Sequence, residues 1–175
     1  MSAAVADVVR VVRASAGPCG VLLCGMTGSG KTTLARALEA EVAIVRFTVD
    51  EWMIELFGHH MSRELLDARL ATLRGLIWST AERLLALGMH VVLDEGFWRA
   101  EGRAEAARRV VAAGGEPVLV YLNVPLSVLE ERLERRNARL PEGTYEITPE
   151  MLASFHAGFE TPTTDEGIRL IEIAA

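Results

Sequence analysis

Residues 21–39 read VLLCGMTGSGKTTLARALE, and they determine which architecture the rest of the chain can adopt. The first four residues form a short apolar run typical of a buried strand, and residues 32–39 place their apolar side chains at helical spacing. Between them, Gly25–Thr32 fits the pattern G-x-x-x-x-G-K-[ST] of a phosphate-binding loop. Strand, glycine loop and helix follow one another in the order that this motif requires. The stretch therefore predicts a site for the phosphates of a nucleoside triphosphate.

Lys31, inside this loop, is the only lysine of the chain, since 17 of the 18 basic residues are arginines. A compact ammonium can enter a ring of backbone N–H groups and contact the β- and γ-phosphate oxygens, whereas a planar guanidinium is too wide for that ring. We therefore expect Lys31 to bind these phosphates. The absence of a second lysine also excludes the Asn-Lys-x-Asp guanine reader of the usual GTPases, so ATP is the expected nucleotide.

The loop amides and the N-terminus of the following helix supply positive potential for a bound anion. Thr32 is an expected Mg²⁺ ligand, because Mg²⁺ is usually held by one or two protein oxygens together with phosphates and water. ATP and Mg²⁺ are thus the expected cofactors. The residues expected to bind the nucleotide are Gly25, Thr27, Gly28, Ser29, Gly30, Lys31, Thr32 and Thr33.

Length and composition exclude several classes of protein. A chain of 175 residues suffices for one domain, residues 1–175, with residues 1–18 as an N-terminal lead-in helix. Half of the residues are hydrophobic, but no apolar run approaches 18 residues, so no membrane span is expected. The net charge of −6 argues against a broad nucleic-acid footprint. Cys19 and Cys24 give neither a zinc spacing nor a disulfide framework, and a cytoplasmic location is expected.

The rest of the chain alternates between strands and helices. Apolar runs predict strands at residues 21–24, 43–49, 90–93, 117–122 and 167–173. Helical spacing and capping signals predict helices at residues 62–87, 99–113, 125–136 and 148–159. This pattern predicts a three-layer α/β/α fold with a five-stranded, mainly parallel sheet in the order 2-3-1-4-5. Ligands are expected at the carboxyl ends of the strands.

Two aspartates follow predicted strands, although the chain has only five aspartates against 19 glutamates. A short carboxylate at a fixed angle suits metal coordination and hydroxyl deprotonation. Asp50 and Asp94 are therefore candidate catalytic residues, and Asp94 is a candidate metal ligand. The alternative for Asp50 is that it only forms the N-cap of a helix that starts at Glu51-Trp52. A loop carboxylate satisfied by local amides is the alternative for Asp94.

These features together resemble a known group, the P-loop kinases of the polynucleotide kinase, zeta toxin and chloramphenicol phosphotransferase type, including AAA-domain ATP-binding proteins. The resemblance covers about residues 20–165. It rests on the ordered segments Gly25–Thr32, Thr48–Trp52, Val91–Trp98, Arg132–Arg139, Ile147–Pro149 and Phe159–Pro162. It implies that Asp50 is the general base for an acceptor hydroxyl. It also implies a small lid, at about residues 132–148, that brings the arginines Arg132, Arg136 and Arg139 onto the phosphates.

The spacing of these arginines agrees with the implied lid. Arg132, Arg136 and Arg139 recur at four- and three-residue intervals, so they are expected on one helix face. Beside a loop rich in Pro and Gly, such a face can close over a transferring phosphate and stabilise its charge. A solvated face on which the arginines pair with Glu130, Glu131 and Glu134 is the alternative.

One departure from the phage polynucleotide kinase concerns the acceptor. That enzyme has an arginine shortly after its base, whereas residues 51–57 here contain no basic residue. This favours an uncharged or cationic acceptor of modest size. The expected pocket consists of Asp50, Trp52, Met53, Phe57, Phe97 and Trp98, and ordinary core packing is the alternative for the apolar members. His59-His60 is expected in a surface loop, because adjacent histidines do not share a helix face.

The expected activity is transfer of the γ-phosphate of Mg-ATP to a hydroxyl of a small molecule such as a nucleoside, an antibiotic or a sugar-like compound. Lys31 and the loop hold the phosphates, Asp50 accepts the proton, Asp94 fixes the metal's water shell or supports the base, and the lid arginines stabilise the transferred group. A polynucleotide 5′-hydroxyl kinase is a disfavoured alternative. A non-catalytic ATP-binding module is another. The oligomeric state is open.

Overall fold

A computed structural model describes residues 2–141 and 144–174 of the chain. Its strands are β1 Cys19–Cys24, β2 Ile44–Thr48, β3 His90–Gly96, β4 Glu116–Asn123 and β5 Arg169–Ala174. Its helices are α1 Ala3–Ala14, α2 Lys31–Glu41, α3 Val49–Phe57, α4 Arg63–Ala86, α5 Ala100–Ala112, α6 Leu126–Asn137 and α7 Pro149–Ala157, followed by a short 3₁₀ turn at Thr164–Glu166. The predicted alternation of strands and helices is confirmed.

The five strands form one sheet in the order β2-β3-β1-β4-β5, and every pairing is parallel. Val21 of the central strand pairs with Val92 on one side and with Val118 on the other. The predicted fold class and strand order are therefore confirmed, with a fully parallel sheet. A parallel sheet needs both of its faces covered, which explains why all six residues of β1 are buried.

Alternate residues of β1 face two different cores, because side chains of a strand point to opposite faces of the sheet. Leu22 packs with residues of α4 and α5, among them Ile77 and Val110. Val21 and Leu23 pack with α1 and α2, through residues such as Val8 and Leu38. Helices therefore cover both faces, which is the predicted three-layer arrangement.

The structure contains the capping side chains that were predicted at the N-termini of two helices. The backbone N–H of Leu65 donates to Ser62 Oγ at 3.3 Å at the start of α4, and Met151 N–H donates likewise to Thr148 Oγ1 at 3.3 Å at the start of α7. Helix α4 stops before Gly88, whose φ of 82° lies in the left-handed region.

The apolar side chains of α4, the helix predicted at residues 62–87, are buried unevenly along its length. Leu65 is 43% exposed, whereas Trp78 and Ala81 are buried. The buried residues of α4, which run from Leu73 to Leu85, belong to the core on one face of the sheet. Closer to the N-terminus of α4, Leu66 and Leu70 are only partly buried: they pack against that core and also line a cavity.

Strand β2 is shorter than predicted. It ends at Thr48, and helix α3 begins at once with Val49. Asp50 therefore lies in the first turn of α3 and not in a loop that follows a strand. The apolar residue Val49 carries the strand pattern forward in the sequence, but it is buried as the first residue of the helix.

A third apolar cluster joins the phosphate-binding loop to the region beyond β4. Met26 of the loop packs with Leu129 and Leu133 of α6, with Ile147 and with Leu152 of α7. These contacts place α6 and α7 over the carboxyl ends of the strands. Within residues 2–141 and 144–174, no helix is both long and apolar enough to span a bilayer.

Candidate active site

A cavity of about 1160 Å³ opens at the carboxyl ends of β1, β2 and β3. The phosphate-binding loop forms one wall, the N-terminal half of α4 forms another, and α6 with the segment before α7 covers it. The strand ends bring carboxylates into it from three neighbouring positions, Asp50, Asp94 and Glu95. The cavity therefore combines an anion-binding loop with acidic side chains, as expected where parallel strands end.

The backbone of the loop requires its glycines. Gly28 and Gly30 have φ values of 81° and 101°, which L side chains rarely adopt. A Cβ at Gly25 would lie 2.9 Å from Ser29 Oγ and 3.0 Å from the carbonyl oxygen of Leu122. These constraints shape a loop whose amides curve around the start of α2.

Most of the expected nucleotide-binding residues line the cavity. Those that do so are Thr27, Gly28, Gly30, Lys31, Thr32 and Thr33. Gly25 and Ser29 are buried behind the surface of the loop, where Ser29 Oγ has no hydrogen-bond partner among the described residues. The two buried residues can therefore shape the loop, while the other six are accessible to a ligand.

Lys31 is folded back onto its own loop. Its Nζ donates to the carbonyl oxygens of Gly25 at 3.0 Å and of Met26 at 2.9 Å. Burial lowers the pKa of Lys31, and the negative charges of Asp94 and Asp50 oppose this effect. The ammonium thus lies among carboxylates and loop carbonyls, within the cavity in which a phosphate would bind.

Thr32 and Asp94 are in direct contact, since Thr32 Oγ1 donates to Asp94 Oδ2 at 2.6 Å. Asp94 is buried and belongs to β3, where it pairs with Thr48 of β2. Burial raises the pKa of Asp94, against the charge of Lys31 and the hydrogen bond from Thr32. The alternative of a loop carboxylate held by local amides is therefore wrong. Two adjacent oxygen donors beside the phosphate loop fit a Mg²⁺ that keeps several of its waters.

Asp50 lines the cavity and is an exposed residue of α3. Burial raises the pKa of this carboxyl, and the negative charge of Asp94 adds to the rise. The positive charges of Lys31, Arg136 and Arg74 oppose the shift without cancelling it. The N-cap of α3 is Thr48, so the alternative in which Asp50 merely caps a helix is wrong.

Glu51, the next residue, has a different environment. Its carboxylate accepts from Arg36 at 2.6 Å and from Arg46 at 2.7 Å. Burial alone would raise the pKa of Glu51, but these hydrogen bonds outweigh it and hold the pKa below its ordinary value. Of the two neighbouring acids, only Asp50 is therefore a suitable proton acceptor.

Two of the three expected lid arginines line the cavity. Arg132 Nη1 donates to the carbonyl oxygen of Ser29 at 3.4 Å, and Arg136 Nη2 donates to that of Tyr145 at 3.0 Å. Burial lowers the pKa of Arg136, with the charge of Asp50 acting in the opposite direction. Both guanidinium groups are thus near the phosphate loop.

The expectation for Arg139 needs correction. Helix α6 ends at Asn137, so the helical spacing that places Arg139 beside Arg136 does not continue to it. Leu140 takes a φ of 35°, and the chain turns away. Arg139 is exposed and is not among the residues that line the cavity. The alternative of a solvated arginine paired with a glutamate of the same helix applies to Arg135, which forms an ion pair with Glu131 at 3.2 Å.

The expected acceptor pocket is correct for only part of its members. Asp50, Phe97 and Trp98 line the cavity. Trp52, Met53 and Phe57 do not, because α3 turns them away from it: Met53 is fully buried in the core, Trp52 packs edge-on against Phe47, and Phe57 lies under Arg69.

Several residues of the site were not predicted from the sequence. Arg74 of α4 reaches the cavity and forms an ion pair with Glu95, whose pKa is raised by burial. Tyr145 also lines the cavity, and its hydroxyl has no partner among the described residues. Glu95 could have been found, because it follows Asp94 on the same strand. No local signal marks Arg74 or Tyr145.

The histidine pair at positions 59 and 60 is exposed, and His59 packs edge-on against Tyr145 with the ring centroids 5.9 Å apart. The ring centroids of the two histidines are 6.4 Å apart, and neither residue lines the cavity. Within the described residues, no group of three or more His, Cys, Asp or Glu side chains is arranged to hold a metal.

Solved structures with the same fold include several kinases. The chain is similar to a candidate kinase from Chloroflexus aurantiacus J-10-fl, with 22% identity, a TM-score of 0.73, and coverage of 90% of this chain and 88% of that one. It is similar to a chain of the Pnkp1/Rnl/Hen1 RNA repair complex, with 19% identity and a TM-score of 0.67. This match covers 81% of this chain and 44% of that one. The chain is also similar to the Mycobacterium tuberculosis APS kinase CysC, solved with AMPPNP and APS. The identity is 21%, the TM-score is 0.58, and the match covers 90% of this chain and 88% of that one.

These similarities establish a fold shared with kinases. No protein of curated function matches the sequence significantly. The model of one sequence family, described as an AAA domain, matches residues 21–162, which include the loop, both aspartates and the lid. The resemblance that the motifs indicated is therefore confirmed, and the chain belongs to the AAA domain family.

Proposed function

We propose that the protein is an ATP-dependent phosphotransferase that moves the γ-phosphate of Mg-ATP to a hydroxyl group of a small molecule. The observation that carries this proposal is that the phosphate-binding loop and the carboxylate of Asp50 open into one cavity. Phosphoryl transfer requires positioning, stabilisation of charge and a group that accepts the proton of the hydroxyl. Lys31, the loop amides and Asp50 can meet these needs.

Space for the nucleoside is available next to the loop. A second cavity of about 700 Å³ shares Gly28, Gly30, Thr33 and Arg132 with the phosphate cavity and is mostly apolar. Ribose and base would enter this space, and the triphosphate would pass over the start of α2. The helix N-terminus and the loop amides favour an anion there.

Residues on both sides of the phosphates supply positive charge. Lys31 would turn from the loop carbonyls to the β- and γ-phosphate oxygens, and Arg132 and Arg136 of α6 would approach from above. Mg²⁺ bound through Thr32 Oγ1 and Asp94 would neutralise part of the phosphate charge. Such fixed donors stabilise the transferring group most effectively where water is excluded.

Asp50 is the proposed general base. A carboxylate whose pKa is raised is a stronger base than an ordinary aspartate. The neighbouring Glu51 is held by two arginines and cannot take this role. The acceptor would lie with its hydroxyl towards Asp50, against Phe97 and Trp98.

The expectation of an uncharged or cationic acceptor rested on the lack of a basic residue in α3. Arg74 brings a positive charge to the acceptor side from α4, but Glu95 neutralises it. A neutral acceptor with several hydroxyl groups suits such paired charges, which can donate and accept hydrogen bonds together. The M. tuberculosis APS kinase, a protein of the same fold, was solved in complex with AMPPNP and the small molecule APS.

A polynucleotide 5′-hydroxyl is the second candidate acceptor. The observation in its favour is that the exposed arginines Arg63 and Arg99 lie at the rim of the cavity, where a nucleic-acid phosphate could bind. Both form ion pairs with surface carboxylates, Asp67 and Glu160, and the chain carries a net charge of −6. These features make the small molecule the stronger candidate.

One assay separates the candidates. The protein is incubated with Mg²⁺ and ATP labelled at the γ-phosphate, in parallel with a set of hydroxylated metabolites and antibiotics and with a 5′-hydroxyl oligonucleotide. Label in a small molecule supports the proposal, and label in the oligonucleotide alone supports the second candidate. Tight ATP binding without transfer to any acceptor, unchanged by Asp50→Asn, would favour a non-catalytic ATP-binding module.

A further inference from the structure

The carbonyl oxygen of Gly25 is a meeting point between the phosphate-binding loop and the segment that follows β3. Two donors reach this oxygen: Lys31 Nζ at 3.0 Å and the indole Nε1 of Trp98 at 3.1 Å. The backbone N–H of Gly25 donates to the carbonyl oxygen of Gly96 at 3.1 Å. Gly25 is buried, so its peptide groups depend on these protein partners.

Triphosphate binding removes one of the two donors. When Lys31 turns to the phosphates, it makes stronger, charge-assisted hydrogen bonds and leaves the Gly25 oxygen. A buried carbonyl that loses its last donor is unfavourable, because it also lacks water. The indole N–H of Trp98 is a donor that can stay in place while Lys31 moves.

The backbone of Trp98 is fixed from two sides. Its carbonyl oxygen accepts from the N–H of Glu160 at 2.9 Å. The preceding carbonyl, that of Phe97, accepts from Arg103 Nη1 at 3.1 Å and from Cys24 Sγ at 3.3 Å. These bonds hold Phe97 at a φ of 44°, a conformation that a non-glycine residue seldom adopts.

The side chain of Trp98 is equally constrained. Its ring packs against Phe155 of α7 with the centroids 5.0 Å apart. A Cβ at Gly96 would lie only 2.8 Å from Trp98 Nε1, so this glycine leaves room for the indole. The N–H is therefore aimed at the Gly25 oxygen before any ligand binds.

We propose that Trp98 is a positioning residue for the nucleotide, whose indole N–H keeps the Gly25 carbonyl bonded when Lys31 leaves for the phosphates. This rests on the proposed function in one respect, namely that a triphosphate binds the loop. It assigns Trp98 to the donor nucleotide, beyond the acceptor-pocket role expected from the sequence.

A double-mutant cycle on nucleotide affinity tests the proposal. The wild type, Trp98→Phe, Lys31→Met and the double variant are titrated with Mg²⁺ and a non-hydrolysable ATP analogue. In the wild-type background, Trp98→Phe is expected to weaken binding about fivefold, the effect of one neutral hydrogen bond. In the Lys31→Met background the effect should vanish, because no lysine leaves the Gly25 oxygen on binding.

The outcomes are distinct. A merely structural role of Trp98 would weaken binding equally in both backgrounds, which would overturn the proposal, as would equal affinities of wild type and Trp98→Phe. A wild type that binds no triphosphate would contradict the proposed function as well. Binding without the predicted coupling contradicts this inference alone.

A second measurement does not depend on the affinity of the lysine variant. The indole N–H signal of Trp98 in a ¹⁵N–¹H spectrum is identified by its loss in Trp98→Phe. On addition of the analogue, its hydrogen exchange with water should slow, since Trp98 becomes the main donor to Gly25. The half-exposed Trp52 serves as the internal control. Exchange as fast as that of Trp52 with the analogue bound would overturn the proposal.

Discussion

Asp50 illustrates how the surroundings of one carboxyl set its chemistry. Two acids stand next to each other in the first turn of α3, yet burial raises the pKa of Asp50 while hydrogen bonds from two arginines lower that of Glu51. Sequence alone cannot separate them, since the arginines come from α2 and β2. The proposed role of base therefore follows from the environment and not from the residue type.

The raised pKa of Asp50 predicts the pH profile of the reaction. The proposed base must be deprotonated to accept a proton, so kcat/KM should fall as the pH drops through a pKa above that of an ordinary aspartate. Rates measured at saturating Mg-ATP across acidic to neutral pH test this. An acid limb at the ordinary aspartate value, or the same limb in Asp50→Asn, would contradict the assignment.

The same pKa shift predicts an effect on stability. A carboxyl whose pKa is higher in the folded than in the unfolded state is harder to ionise in the folded protein. Its contribution to the free energy of unfolding therefore becomes unfavourable as the pH rises through the unfolded-state pKa and then the folded-state pKa. Asp50→Asn should therefore raise Tm at neutral pH, with a gain that disappears at a pH below the unfolded value. Thermal denaturation at several pH values measures this, and a lower Tm of the variant at neutral pH would disprove it.

Among the individual residues of the site, the sequence predicts only those that belong to a local motif. Lys31, Thr32 and Asp94 are readable because the loop and the strand end are local patterns. Arg74 and Tyr145 reach the cavity from distant segments, and the turn of the chain after Asn137 removes Arg139. Whether such residues reach the cavity depends on where each helix lies and where it ends. Three- and four-residue spacing in a sequence does not determine either.

Among the elements, α5 is tied to the C-terminal region by Arg103, which is only 1% exposed. Its guanidinium makes two hydrogen bonds to Glu166, at 2.6 and 2.7 Å, and others to the carbonyl oxygens of Phe97 and Glu160. The buried charge is thus paired, and its loss leaves Glu166 without its guanidinium partner and each of the two carbonyls with one donor fewer.

Removing this tie should destabilise the protein strongly. Arg103→Met is expected to lower the free energy of unfolding by about 3–5 kcal/mol, because the partly buried carboxylate of Glu166 loses its charged partner. The matched control is Arg108→Met on the same helix, whose exposed pair with Glu105 should contribute less than about 1 kcal/mol. Urea denaturation of both variants provides the values. Equal effects of the two substitutions would refute the account.

Helix α6 offers a paired test of the lid. Arg136→Met should lower kcat on the order of 10²-fold, since it removes a charge near the transferring phosphate, whereas Arg139→Met should leave kcat nearly unchanged. Steady-state kinetics with saturating ATP and acceptor gives both values. A loss of rate in the Arg139 variant as large as in the Arg136 variant would mean that the lid closes differently.

Elements with regular patterns could be predicted, and boundaries between unlike elements could not. The caps of α4 and α7 identify their starts because Ser62 and Thr148 bond to the first turn of each helix. The junction of β2 and α3 has no loop, so Val49 continues the strand pattern although it begins the helix. Trp52, Met53 and Phe57 then fall on faces of α3 that a strand-plus-loop interpretation does not foresee.

In the whole molecule, the topology explains why the site forms at one edge of the sheet. Parallel strands in the order β2-β3-β1-β4-β5 place the ends of β1, β2 and β3 side by side. The loop, Asp50 and Asp94 then meet, although they are far apart in sequence. Apolar strands and glycine loops encode this topology directly, which is why the fold was predictable, whereas the shape of the acceptor side depends on how α4, α6 and α7 pack above it.

The central claim is that one cavity holds a triphosphate through Lys31 and deprotonates an acceptor hydroxyl through Asp50. The most direct test is γ-phosphate transfer from labelled Mg-ATP to the best hydroxylated acceptor, measured with nucleotide affinity for the wild type, Lys31→Ala and Asp50→Asn. The account predicts that Lys31→Ala loses both affinity and transfer, while Asp50→Asn retains affinity but loses transfer by at least about 10²-fold. Transfer by Asp50→Asn at the wild-type rate would contradict it.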